Sequence, residues 1–220
     1  MKIIRSFIPK LLLTGLVYLL VTCNEPYSSK KRGYFKIDFP EHRYKTFDTA
    51  GFPYAFEYPE YATIMQDSTY FDSTPENPYW INVDMDRFHG KIFLSYKDIG
   101  GRVVFKVKGA DGQYHDSVGT NIFDNLVGDA YTLTSKNEFI ASSIHDSLFV
   151  NPSGVSGIIF QVGGNAATPL QFFMTDTASH FLRGALYFEA TPNADSLRPV
   201  VDFVKEDIFH MIRSFRWKSS

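Results

Sequence analysis

Apolar and polar residues alternate along most of this chain, and the period changes to a helical one in two places only. Residues 34–39 (YFKIDF) alternate and stop at Pro40, which predicts a strand. Residues 52–58 form a second short aromatic strand ended by Pro59, and a third is read over 61–66. Asp, Ser, Thr, Pro and Asn collect over 67–78, which marks a loop. Alternation returns over 79–84 and 91–97, around a turn at His89-Gly90. Residues 103–108 are either a further strand or part of an irregular insert before Asp111-Gly112. Ile122, Leu126, Ala130, Leu133 and Ile140 then fall near one helical face, which predicts a helix over 120–141. Gly128 inside it costs about 1 kcal/mol relative to Ala. Short apolar segments at 144–150, 157–162, 170–175 and 184–189 read as consecutive antiparallel strands, the last two joined as a hairpin across 176–183.

The C-terminal segment carries the clearest helical pattern. Leu197, Val200, Val201, Val204, Ile208, Met211, Ile212 and Phe215 make one broad apolar face, widened by Phe203, Phe209 and Trp217. Asp195 or Ser196 is expected to cap its start, and Pro199 to sit in the first turn, where no amide bond is lost. Arg213, Arg216 and Lys218 are expected in its last turns, where cations complement the helix dipole. Such a face needs a sheet to pack on. The fold expected is α+β: a single domain with a largely antiparallel sheet, flanked by helices including this long amphipathic one. Aromatic content of 16% (21 Phe, 13 Tyr) supports a β-rich core.

The first 22 residues break the pattern. Residues 1–10 are basic, with Lys2, Arg5 and Lys10, and 11–21 form an apolar run of about eleven residues. A spanning helix needs roughly 20. The run ends Leu20-Val21-Thr22-Cys23, similar to a lipobox, and Cys23 is the single cysteine of the 220 residues. The expectation is a lipoprotein signal peptide over 1–22, cleavage before Cys23 and acylation of its thiol, although Thr22 stands where Ala, Gly or Ser is usual. Two or more acyl chains anchor stably at about 0.8 kcal/mol per buried methylene. The runner-up is retention of the leader as a signal anchor with its basic residues inside. Residues 23–32 read as a polar tether, and 33–220 as the folded domain. Removing the leader leaves 19 basic and 24 acidic residues, a net charge of about −5. That balance argues against nucleic acid as a partner.

Little in the sequence carries chemistry. No two of His42, His89, His115, His145, His180 and His210 lie three or four residues apart, so no helix presents a pair of imidazoles to a metal. Gly163-Gly164-Asn165 lacks the rest of a phosphate loop and reads as a turn. The acidic stretches around Asp67, Asp72, Asp84 and Asp86 do not match an EF-hand. Asp176, Ser179 and His180 have the residue types of a hydrolase triad but crowd into one turn without a nucleophile elbow. The aromatic pairs Tyr34-Phe35, Tyr79-Trp80 and Phe172-Phe173 read mainly as core, with one member of each pair turned to the opposite face of its strand.

Several stretches resemble the GldD family of gliding-motility lipoproteins: RGYFKIDFP at 32–40, PYWIN at 78–82, LQFFMTDTASHFLRGALYF at 170–188, and the ending SFRWK at 214–218. The segment 98–118 matches less closely. The resemblance implies a Bacteroidetes-type envelope lipoprotein that joins gliding with type IX secretion and has no recognised enzymatic activity, and no cofactor is expected. Asn24-Glu25 after the cysteine, with no dense acidic run that would tag it for surface export, point to a periplasm-facing position. Its lipidated cysteine maps onto Cys23. The element order also resembles the PsbP/Mog1-type α/β/α sandwich. Partners are then the membrane, through the lipid, and other envelope proteins of that machinery. Asp176, His180, Phe181 and Arg183 of the hairpin are the candidate partner contacts. The alternative is a periplasmic ligand-binding protein or hydrolase with a cleft near Asp176 and His180.

Overall fold

The structure, a computed structural model, describes residues 36–66, 75–189 and 193–218. The chain divides into two units after Ile37. The expected leader, Cys23 and the expected tether lie outside the described residues, and every described helix and strand belongs to the second unit, which begins at Asp38.

Among the described residues twelve strands and two α-helices succeed one another in chain order: β1 (Tyr44–Phe47), β2 (Tyr54–Pro59), β3 (Thr63–Gln66), β4 (Ile81–Met85), β5 (Gly90–Asp98), β6 (Arg102–Lys108), β7 (Tyr114–Thr120), α1 (Phe123–Ser135), β8 (Ala141–Val150), β9 (Ser156–Gly164), β10 (Leu170–Thr175), β11 (His180–Phe188), α2 (Ala194–Ser214) and β12 (Arg216–Trp217). Seven strands form one antiparallel sheet in the order β3-β4-β5-β11-β10-β9-β8. β1, β2 and β12 form a small second sheet, and β6 with β7 a two-stranded ribbon. The fold is α+β, as the alternation and the two helical periods predict.

The large sheet separates two cores. On one face, α2 and the small sheet bury Tyr54, Phe56, Phe172, Leu182, Val204, Ile208 and Phe215. On the other, Leu126 and Ala130 of α1 cover Ile158, Phe160, Phe173 and Phe181. β10 is buried along its whole length because it serves both, with Phe172 in the first core and Phe173 in the second. Each such side chain contributes roughly 1.5–3 kcal/mol by leaving water.

Several boundaries differ from the expected ones. Residues 36–39 form no strand; Phe39 instead stacks on Phe203 of α2 (4.6 Å) and tilts against Phe88 (5.9 Å). α1 ends at Ser135 rather than 141, where the backbone N–H (3.1 Å) and Nδ2 (3.0 Å) of Asn137 both donate to the Thr134 carbonyl and close the last turn. The chain then turns into β8. The β10–β11 turn is tighter than expected, with the strands resuming at His180. β1, β7 and β12 are short or polar strands without an alternation strong enough to read.

α2 is capped by Asn193, whose side chain accepts from Ser196 N–H (3.3 Å), not by Asp195 or Ser196. Asn165 Oδ1 takes a second orphan donor, Ala194 N–H (2.8 Å). Gly163 and Gly164 are therefore not the expected turn but the end of β9, where Gly164 sits at φ +86°, and Asn165 just beyond them caps the helix. Pro199 lies in the second turn of α2. Phe215 is extended and ends the helix, so Trp217 belongs to β12 and pairs with Tyr54. Arg216 and Lys218 bind Asp48 (2.6 and 2.8 Å) instead of the helix end.

Candidate functional site

The β10–β11 turn places the four hairpin residues singled out by sequence. Asp176 Oδ1 accepts the backbone N–H groups of Ala178 (3.0 Å), Ser179 (2.8 Å) and His180 (2.8 Å). Thr175 Oγ1 accepts from Thr177 N–H (2.8 Å) and lets Thr177 sit at φ +64°. Burial alone would raise the Asp176 pKa. The three amide donors and the neighbouring imidazole outweigh it and hold the carboxyl below the ordinary carboxylate range.

His180 is the inner end of a polar chain. Tyr96 Oη donates to Asp98 Oδ1 (2.6 Å) and lies 2.6 Å from His180 Nδ1. The phenol has one proton, so His180 Nδ1–H is the donor to Tyr96. Burial first, and Asp98 second, push the Tyr96 phenol well above its ordinary pKa. Trp217 of β12 stacks on the His180 ring (4.9 Å, 25° between planes), and Asp176 Oδ2 lies 4.0 Å from Nε2. These contacts fasten the turn, β5 and β12 together. Asp176 Oδ1 and His180 Nδ1 are thereby committed to structure, while Asp176 Oδ2 and His180 Nε2 face each other at 4.0 Å.

Phe181 and Arg183 lie on the opposite face of the sheet, as alternation along β11 requires. The four nominated residues are thus two pairs, not one surface. Phe181 is buried against Phe173 (5.1 Å, 20°) and is not itself presented to solvent. Arg183 Nη2 donates to Gln171 Oε1. Both line a cavity of about 380 Å³ between the sheet and α1. Trp80, held by its Nε1–H on the Tyr96 carbonyl (2.7 Å), adds an aromatic wall. Leu126, Ala130 and Leu133 form the α1 side, and Lys97 and Lys136 add cations near Arg183. Lys97 is also paired with Glu76 (2.5 Å). The PYWIN and HFLRG stretches, far apart in the chain, therefore meet in one cavity. Lys97, Lys136 and Asp129 were not foreseen there, since nothing in the local sequence pairs α1 with β5.

A second cluster escaped the sequence entirely. Asp207 on α2 is 2% exposed and accepts from Tyr44 Oη (2.9 Å), Tyr61 Oη and His42 Nδ1 (2.6 Å). His42 Nε2 lies 3.2 Å from Glu206. Burial, then Asp207, raises the pKa of both phenols. The partners lie more than 140 positions away in sequence, so no local motif marks them. Their chemistry is that of a satisfied buried carboxylate pinning α2 to the segment around β1. Among the described residues, no group of three or more His, Cys, Asp or Glu is arranged to hold a metal ion. No described helix is long and apolar enough to cross a membrane.

Comparison with known proteins decides the family. The profile of the gliding motility lipoprotein GldD matches residues 24–217, most of the chain. The chain belongs to the GldD family. As a member of GldD it is associated with gliding motility and, through a lipoprotein family, with the cell envelope. No curated protein gives a significant match. Among solved structures, the solution structure of cyanobacterial PsbP (CyanoP) from Synechocystis sp. PCC 6803 is similar at 14% identity and a TM-score of 0.45, covering 88% of this chain and all of that one. The GldD match spans both stretches that line the α1 cavity.

Proposed function

We propose that this GldD protein is a non-enzymatic, periplasm-facing component of the gliding and type IX secretion machinery, anchored by acyl chains on Cys23. Its contact with other envelope proteins runs through the cavity between α1 and the sheet. The observation that supports this is the meeting of Trp80, Phe181 and Arg183 under α1, with exposed Leu133 and Lys136 on the rim. An apolar floor with a few convergent charges is how a protein receives an anchoring side chain of a partner. His180 and Asp176 act from the other face, holding the turn that positions β11.

The test is an in-frame deletion strain complemented by wild type, Cys23→Ala, Leu133→Asp and Lys136→Glu, scored for secreted type IX cargo and for colony spreading. Wild type restores both. Cys23→Ala restores them poorly, and the two rim variants accumulate normally in the membrane but fail in spreading or secretion. Full function of both rim variants would remove the cavity from the reading. Unchanged secretion and spreading in the deletion strain would remove the role itself.

A further inference from the structure

The outer edge of β8 has no strand partner among the described residues, and it is built unlike a protected edge. β8 is ten residues long, about 34 Å of unpaired backbone donors and acceptors. Natural edges are kept short, bulged, or guarded by Lys or Pro. The one irregularity of β8 lies at its start, between Ala141 and Ser143, and its pairing runs regularly from Ser143 to Val150. β3, at the other end of the sheet, is four residues long. β8 (ASSIHDSLFV) has no Lys and no Pro. Its single carboxylate, Asp146, accepts from Tyr131 Oη (3.0 Å) of its own chain.

The apolar residues at this edge sit at its two ends. Leu148 and Val150 are 84% and 73% exposed at one end, and Phe139 and Ile140 are 98% and 53% exposed just before the other. The centre, Ser142, Ser143, His145, Asp146 and Ser147, is mostly polar. That pattern is self-complementary under a two-fold axis. Antiparallel pairing centred near His145 brings the Phe139–Ile140 end of one copy to the Leu148–Val150 end of the other, twice over. We infer that this protein pairs with a second copy of itself through β8, extending two seven-stranded sheets into one.

The arrival of the chain agrees with this. Phe39 stacks on α2, so residues from 38 onward join the domain on the α2 face. A two-fold axis relating antiparallel edge strands runs perpendicular to the sheet and leaves both α2 faces on the same side. Both copies then carry Phe39, near the start of the second unit, on one side of the extended sheet.

The test uses the full-length protein in its own membranes. Single cysteines are placed at His145 and Ser147, with Thr63→Cys on the opposite edge and the wild type as controls, and all are treated with a short bismaleimide. The expected result is a covalent product of twice the protein's mass from the β8 positions and not from Thr63→Cys or wild type. Adding Leu148→Lys and Val150→Lys should lower that yield at least tenfold. Absence of the doubled product, an equal yield from Thr63→Cys, or a β8 product of another mass (a different protein strand at this edge) would each overturn the inference. Should the double-lysine variant lose its folded circular-dichroism signal, the comparison of cysteines at the two edges decides alone.

Discussion

Gly184 carries a constraint that no other residue type can meet. The Phe172 ring lies so close over it that an added Cβ would stand 2.1 Å from Cζ. The ring is central to the first core, so it has nowhere to withdraw. Gly184→Ala is expected to cost about 1–3 kcal/mol or more, as overpacking does. A urea titration should show a lower midpoint with an unchanged slope. Asp207 is the second residue whose loss should be felt. Tyr61→Phe removes one donor from this buried carboxylate and should cost about 1.5–3 kcal/mol, the range for hydrogen bonds to charged groups. Equilibrium unfolding at neutral pH measures it, and a change under about 0.5 kcal/mol, the size of an ordinary surface substitution, would contradict the pinning role.

At the scale of elements, the β10–β11 turn links stability to pH. The Asp176 carboxyl is held below its ordinary pKa in the fold, so in acid the unfolded chain binds the extra proton first. The resulting stabilisation is present above the unfolded pKa of about 3.9 and fades as pH falls through the lower folded value. Asp176→Asn keeps an acceptor for the turn but loses the charge. It should be less stable than wild type at pH 6 and flatten the acid limb of a stability–pH profile. This turn also shows what could be read without coordinates. Its existence, and the turning of Phe172 and Phe173 to opposite faces, follow from strand geometry, which maps sequence directly onto faces; that both faces are buried depends on where α1 and α2 pack. The same alternation separates His180 from Phe181, which a nomination by sequence neighbourhood overlooked. Elements with weak periodicity escaped: β7 (YHDSVGT) pairs with β6 through backbone register that its side chains do not announce. The caps of α2 escaped in part for another reason. Asn165 reaches Ala194 across 29 positions, a contact that only the folded chain creates.

For the whole molecule, membership of GldD joins a readable fold to an envelope role, and the predictions at this scale are functional ones. If the proposed acyl anchor is on Cys23, Cys23→Ala should release the protein from the membrane fraction, with circular dichroism of the released protein unchanged. The cavity was half legible. Trp80, Phe181 and Arg183 lie in stretches that stand out in the sequence, and Leu126 and Ala130 in the helical stripe, but their convergence depends on where α1 crosses the sheet. Lys97 and Lys136 join them only through that crossing.

The unequal division of the interior by the sheet has a kinetic consequence. α1 is held by a small cluster in which it buries Leu126 and Ala130, whereas α2 lies against the larger core with Val204, Ile208, Met211 and Ile212. Detachment of α1 exposes far less apolar surface than loss of the whole fold. In native-state deuterium uptake, the amides of α1 should therefore exchange through a partial opening with weak dependence on denaturant, while those of β10 await global unfolding. The wall of the cavity is then its most readily released part, and a ligand or partner seated there would announce itself as slowed exchange in α1.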